Sequence, residues 1–158
     1  MPPITPFLWF DDQAEEAAEF YVSVFPNSEI HQISRYGEAG PGPAGSAMTV
    51  AFSLDGTDFV ALNGGPVHHH FDEAISFFVT CRTQEEVDHY WTSLTAGGSE
   101  NVCGWLKDRY GLCWQIVPEQ LPRLLGDPDP ARAKAAMEAM LTMRKLDIAA
   151  LEQAAANA

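Results

Sequence analysis

Long apolar runs, basic residues and cysteines are all scarce in this chain, and each scarcity excludes a class of protein. No stretch approaches the roughly 18 to 20 consecutive apolar residues of a membrane-spanning helix, and Met1-Pro2-Pro3-Ile4 has neither the basic segment nor the apolar core of a secretion signal. A cytoplasmic protein without a membrane partner is the expectation. Only 9 lysines and arginines stand against 22 aspartates and glutamates, a formal net charge of −13. Such a surface repels phosphate backbones, which excludes nucleic acid as a partner. Cys81, Cys103 and Cys113 form an odd set without CxxC spacing. They suit neither a disulfide framework nor a four-thiolate zinc site, so reduced thiols are expected. A glycine-rich loop leading from a strand into a helix is also missing. The stretch Gly40 to Gly45 is interrupted by Pro41 and Pro43 and precedes a strand, so it cannot present helix N-terminal amides to a dinucleotide or to S-adenosylmethionine.

What the chain does hold is enough for one well-filled core: 158 residues, 46% of them hydrophobic. Ile4 to Phe10 is apolar and aromatic and reads as a strand. Ala17, Phe20, Tyr21 and Val24 then fall at helical spacing, with Asp11 or Asp12 as the candidate N-cap. Glu29 to Tyr36 reads as a second strand, and Gly37 to Gly45, with four glycines and two prolines, as a loop. Ala47 to Leu54 and Asp58 to Asn63 flank the turn dipeptide Asp55-Gly56 and make a hairpin.

The same grammar then begins again. Ala74 to Cys81 is a strand, and Thr83 caps a helix whose Val87, Tyr90, Trp91 and Leu94 repeat the earlier stripe at an offset of 70, until Gly97-Gly98 stops it. A short strand near Ser99 to Val102 precedes a hairpin from Cys103 to Lys107 and Leu112 to Val117, turning through Asp108-Arg109-Tyr110-Gly111. The aspartate there is explained by turn hydrogen bonding alone. Beyond Pro118 the composition shifts to helix formers. Asp129-Pro130 opens a helix over Ala131 to Lys145, and Asp147 caps a last one from Ile148 to Ala155. The expected fold is α+β: two βαβββ modules of mixed curved sheet, over residues 4–63 and 74–118, within a domain spanning 1–118, followed by a helical extension over 119–158.

A βαβββ unit present twice resembles the vicinal-oxygen-chelate (glyoxalase, bleomycin-resistance and dioxygenase) superfamily. The run from Cys103 through Gly104-Trp105-Leu106-Lys107-Asp108 and Tyr110-Gly111 to Trp114-Gln115-Ile116-Val117-Pro118 is more specific. It is similar to the PhnB-like proteins named for 3-demethylubiquinone-9 3-methyltransferase. Phe7-Leu8-Trp9-Phe10, Ala74-Ile75-Ser76-Phe77 and Met143-Arg144-Lys145-Leu146-Asp147-Ile148 agree with that family as well. The run Val67 to Asp72, with its three consecutive histidines, departs from it.

The resemblance implies a cup formed by two curled sheets and a divalent metal held by His, Gln or Glu on inner strands. Carried over by the repeat, those positions fall within a residue or so of Ile4, Val60, Ala74 and Gln115, of which only Gln115 can ligate. Trp9, Trp105 and Trp114 on strands offer an apolar wall, and Asn63 and Gln115 hydrogen bonds, so a small and flat or aromatic ligand is expected at Trp9, Asn63, Trp105 and Gln115. A second reading is a metal-dependent lyase or dioxygenase using His68, His70 and Gln115. The two histidines share a face if the run is extended, and imidazoles suit zinc, nickel or copper. A third is a homodimeric assembly module paired through the Ala/Met-rich face of residues 131–146, with packing on its own sheet as the alternative.

Overall fold

The computed structural model describes residues 4–67 and 69–158. Contacts divide the chain into two compact units, one ending at His69 and one running from His70 to Ala158.

In the first unit β1 (Phe7–Phe10) leads into α1 (Ala14–Val24), followed by β2 (Glu29–Arg35), β3 (Ala47–Leu54) and β4 (Thr57–Asn63). The sheet order is β1-β4-β3-β2, with β1 parallel to β4 and the other pairs antiparallel. Alternation along β1 and the middle of β4 sets the two faces of the sheet. Leu8, Phe10, Val50, Phe52, Phe59 and Ala61 are buried. The alternate positions Phe7 and Trp9 are 59% and 39% exposed. Asp55 at φ 46° and Gly56 at φ 85° turn β3 into β4, the two positive dihedrals that a tight hairpin with right-handed strand twist needs. The Gly/Pro loop after β2 is closed at its base, where Tyr36 N donates to Ser46 O (2.9 Å) and Gly45 N to Tyr36 O (2.8 Å). Its roof packs on the Tyr36 ring so closely that a Cβ on Gly42 would come within 2.4 Å of it.

The second unit repeats the plan with β5 (Phe77–Cys81), α2 (Gln84–Thr95), β6 (Ser99–Glu100), β7 (Trp105–Lys107) and β8 (Cys113–Pro118), in the order β5-β8-β7-β6. The architecture is therefore α+β, two four-stranded mixed sheets with the same strand order. The helix stripes match residue for residue: Ala17, Tyr21 and Val24 are buried and Phe20 is half-buried, as are Val87, Trp91 and Leu94 with Tyr90.

Between strand and helix the repeat slips by one residue. Gly64 N donates to Phe10 O and Glu119 N to Cys81 O, so Phe10 and Cys81, 71 residues apart, mark equivalent strand ends. The first connection, Asp11-Asp12-Gln13, is one residue longer than Arg82-Thr83. Thr83 caps α2 by accepting from Glu86 N at 3.2 Å, as expected. For α1 the expected aspartate cap is not made: Gln13 is the N-cap and offers no side-chain hydrogen bond.

Three helices complete the second unit: α3 (Gln120–Leu125), which the sequence reading did not foresee, α4 (Pro130–Leu141) and α5 (Ile148–Ala156). Asp129 and Asp147 accept from Ala131 N and Ala150 N (both 3.0 Å) and so cap α4 and α5. Val117, Leu121, Leu146 and Leu151 form their core, with Ala139, Met140 and Met143 against it. Each fully buried leucine contributes about 1.5–3 kcal/mol. The Ala/Met face of α4 thus packs within its own unit through Ala136, Ala139 and Met140, while Met137 and Leu141 remain 41% and 58% exposed.

Candidate functional site

The sheet register decides which side chains share a surface. In the second unit Phe78 pairs with Gln115 across β5 and β8, and Gln115 with Trp105 across β8 and β7, so the three lie in one row on one face. Gln115 Nε2 donates to Ser76 Oγ at 2.9 Å, which fixes the amide. Phe78 is 55% exposed. Lys107 pairs with Cys113 on the same face, and its ammonium lies 2.8 Å from Glu73. That bond holds the Glu73 carboxyl below its usual range and the lysine above its own.

The equivalent row of the first unit is Phe7, Val60 and Ala51. Since Asn63 and Pro118 are the equivalent ends of β4 and β8, Val60 corresponds to Gln115 and Phe7 to Phe78. Both phenylalanines stand out of the core. Val60 offers no donor atom, and among the described residues no group of three or more His, Cys, Asp or Glu is arranged to hold a metal ion.

Asn63 borders a different feature, and Trp9 packs on the neighbouring Gly64. A cavity of about 340 Å³ is lined by Asp11, Tyr36, Gly42, Asn63, Gly64 and Pro66 among others. Trp9 lies flat on Gly64, where a Cβ would be 2.2 Å from the indole, and its Nε1 donates to Gly65 O at 3.0 Å. His69 meets the Trp9 ring edge-on at 5.2 Å. The Asn63 amide is engaged at both ends: Oδ1 accepts from Ala14 N (2.8 Å) and Nδ2 donates to Ala47 O (3.0 Å). It supplies the α1 terminus with the acceptor that Asp11 and Asp12 do not. Tyr36 Oη donates to the Asn63 carbonyl at 2.5 Å. His70 is exposed in the second unit, and His68 lies outside the described residues.

Trp114 is not part of any wall. It is 2% exposed and its Nε1 donates to Asp108 Oδ2 at 2.9 Å. Asp108, itself buried, also accepts from Tyr110 N (2.9 Å) and Leu112 N (3.1 Å) through Oδ1. Turn chemistry therefore explains this aspartate, with an indole bond in addition. Cys103 at φ 59° and Gly104 at φ 83° turn the chain, and their amides donate to Met143 O and Arg144 O, both at 2.8 Å. The two most distinctive sequence motifs, around Cys103-Gly104-Trp105 and Met143-Arg144, are therefore bonded to each other. Cys103 Sγ points at Met140 O (3.7 Å). Burial, with the Glu86 charge behind it, pushes the Cys81 thiol up to about 12, and burial also raises Cys113.

The family profile described as 3-demethylubiquinone-9 3-methyltransferase matches residues 2–117. The chain belongs to that family. A PhnB protein from Bacillus cereus carrying the same methyltransferase name is 38% identical, with a TM-score of 0.70 over 74% of this chain and 99% of that one. The protein PA1353 from Pseudomonas aeruginosa (20% identity, TM-score 0.62, 75% and 98% coverage) shares the fold. So does the fosfomycin resistance protein FosX from Listeria monocytogenes, solved with Mn(II) and sulfate (16%, 0.51, 72% and 88%). No curated protein matches. The PhnB-like chain thus has the glyoxalase-type fold, and no helix among its described residues is long and apolar enough to cross a membrane.

Proposed function

We propose that this PhnB-like protein binds a small, planar organic molecule on the open face of its second sheet, between Trp105, Phe78 and Gln115, without the divalent metal of superfamily enzymes. One observation carries the reading: both sheets hold a phenylalanine out of the core at the same register position, Phe7 at 59% and Phe78 at 55% exposure. Leaving such a ring in water forgoes about 1.5–3 kcal/mol of burial each time. Repeated placement on equivalent faces suits a surface reserved for an apolar partner. With Nε2 committed to Ser76, Gln115 offers its Oε1 as an acceptor, so the ligand carries at least one N–H or O–H donor beside its ring.

We do not extend the methyltransferase name to an activity, since each sheet holds a single parallel strand pair, β1 with β4 and β5 with β8, unlike the parallel core of nucleotide-binding folds. Three free cysteines, two of them buried, suit a reducing cytoplasm. Self-association into a dimer belongs to the same proposal, supported by exposed Met137 and Leu141 on α4, and light scattering reads it directly.

The binding test is quenching of tryptophan fluorescence by a panel of phenols, catechols and heteroaromatic amides, alongside metal analysis of the purified protein. Trp105→Ala and Gln115→Ala weaken a binding phenol about tenfold or more. Stoichiometric metal that disappears in His70→Ala would instead favour the metal-dependent lyase or dioxygenase reading with Gln115.

A further inference from the structure

The hairpin end of the first sheet carries a cluster that the ligand face does not use. Glu29 pairs with Ser53, and Ser53 with Asp58, across β2, β3 and β4, so these three side chains lie on one face. Between Ile30 and Gln32 the register slips: Ile30 faces Phe52 and Gln32 faces Ala51, leaving His31 as an extra residue. A bulge of this kind re-aims a side chain. Here the imidazole is brought over Ser53, with Nε2 3.0 Å from Ser53 Oγ, while Nδ1 lies 3.5 Å from Glu29 Oε1. Ser53 is 7% exposed, one of the few buried polar side chains of the chain. The three groups border a cavity of about 400 Å³ that Asn27, Gly56 and Asp58 also line.

Hydroxyl, imidazole and carboxylate in that order, each within or close to hydrogen-bond reach of the next, are what an activated nucleophile requires. We infer that Glu29, His31 and Ser53 form an acyl-transfer site that hydrolyses neutral or cationic carboxylic esters. Ser53 and His31 are the catalytic residues and Glu29 is a positioning residue.

Ser53 Oγ adds to the acyl carbon as its proton passes to His31 Nε2. Collapse breaks the bond to the ester oxygen, which leaves as the alcohol with the proton from His31. Water then adds to the acyl-serine and gives a proton to His31. The serine ester breaks, releasing the acid, and Oγ recovers its hydrogen. Asn27 is the lining residue whose side-chain N–H suits the oxyanion. Glu29 and Asp58 place two carboxylates at the rim, which repel an anionic ester and leave neutral and cationic ones.

The full-length protein is mixed with 4-nitrophenyl acetate, a neutral ester, and nitrophenol release is followed together with mass-spectrometric mapping of the acetyl group. The expected result is a burst of release with the acetyl on Ser53, abolished by Ser53→Ala and slowed about 100-fold or more by His31→Gln. Melting temperatures of the variants verify that they fold, and mapping of the unaltered protein needs no variant at all. Glu29→Gln slows acylation severalfold at an unchanged melting temperature, and Glu29→Asp recovers part of the rate. No acetyl on Ser53, an acetyl on His31 instead, or a burst that survives His31→Gln overturns the site. A rate untouched by Glu29→Gln overturns the three-residue arrangement.

Discussion

Asn63 Oδ1 accepts the backbone N–H of Ala14 at 2.8 Å, so the last residue of β4 caps a helix that begins 49 residues earlier. The other end of the same amide holds Ala47 O on β3. One side chain thus ties the start of α1 to the antiparallel pair β3 and β4.

Asn63→Ala removes that cap and leaves the Ala47 carbonyl without its donor. Urea unfolding is expected to show a loss of about 1–3 kcal/mol, the sum of a lost helix cap and a lost hydrogen bond. Asn63→Asp keeps the acceptor for Ala14 and recovers part of it.

Asp108→Ala strands the Tyr110 and Leu112 amides and the Trp114 indole inside the second unit. Each buried donor left unpaired costs about 1–3 kcal/mol, so the variant should unfold at room temperature or lose most of its stability. Near-ultraviolet circular dichroism, to which buried Trp91 and Trp114 contribute, reports it.

Gly64→Ala sets a methyl group 2.2 Å from the Trp9 ring. The indole must leave Gly65 O, and its emission shifts to the red, at a cost of about 1–3 kcal/mol in stability. The Trp105 and Gln115 face lies in the other sheet, so binding there should be unchanged.

The Cys81 thiol is raised from 9.0 to about 12, chiefly by burial. The folded chain keeps this proton where the unfolded chain has lost it. The associated stability is therefore complete below pH 9 and falls away as pH climbs from 9 toward 12. Denaturant midpoints measured between pH 8 and 11 should decline, and Cys81→Ala should flatten that decline. At pH 8 a thiol reagent should label Cys81 only after unfolding.

Leu146 is fully buried against Val117, Leu121 and Leu151, and its side chain touches the space that a Cβ on Gly104 would need. Leu146→Ala opens a cavity worth about 2–5 kcal/mol. Hydrogen exchange at Cys103 and Gly104, whose amides are bonded to residues 143 and 144, should quicken with it.

Local chemistry alone was enough to read the helix stripes of Ala17 to Val24 and Val87 to Leu94, the Asp55-Gly56 turn, the caps Thr83, Asp129 and Asp147, and the duplicated plan. Periodicity and turn dihedrals act over a few residues, so they are written in the order of the chain. The cap on Ala14, the burial of Trp114 on Asp108, the one-residue slip between strand and helix offsets, and the bulge that sets His31 over Ser53 were not legible. Each is a meeting of residues far apart in the chain, fixed by strand register and by the need to satisfy buried donors, and register exists only once the sheets have formed.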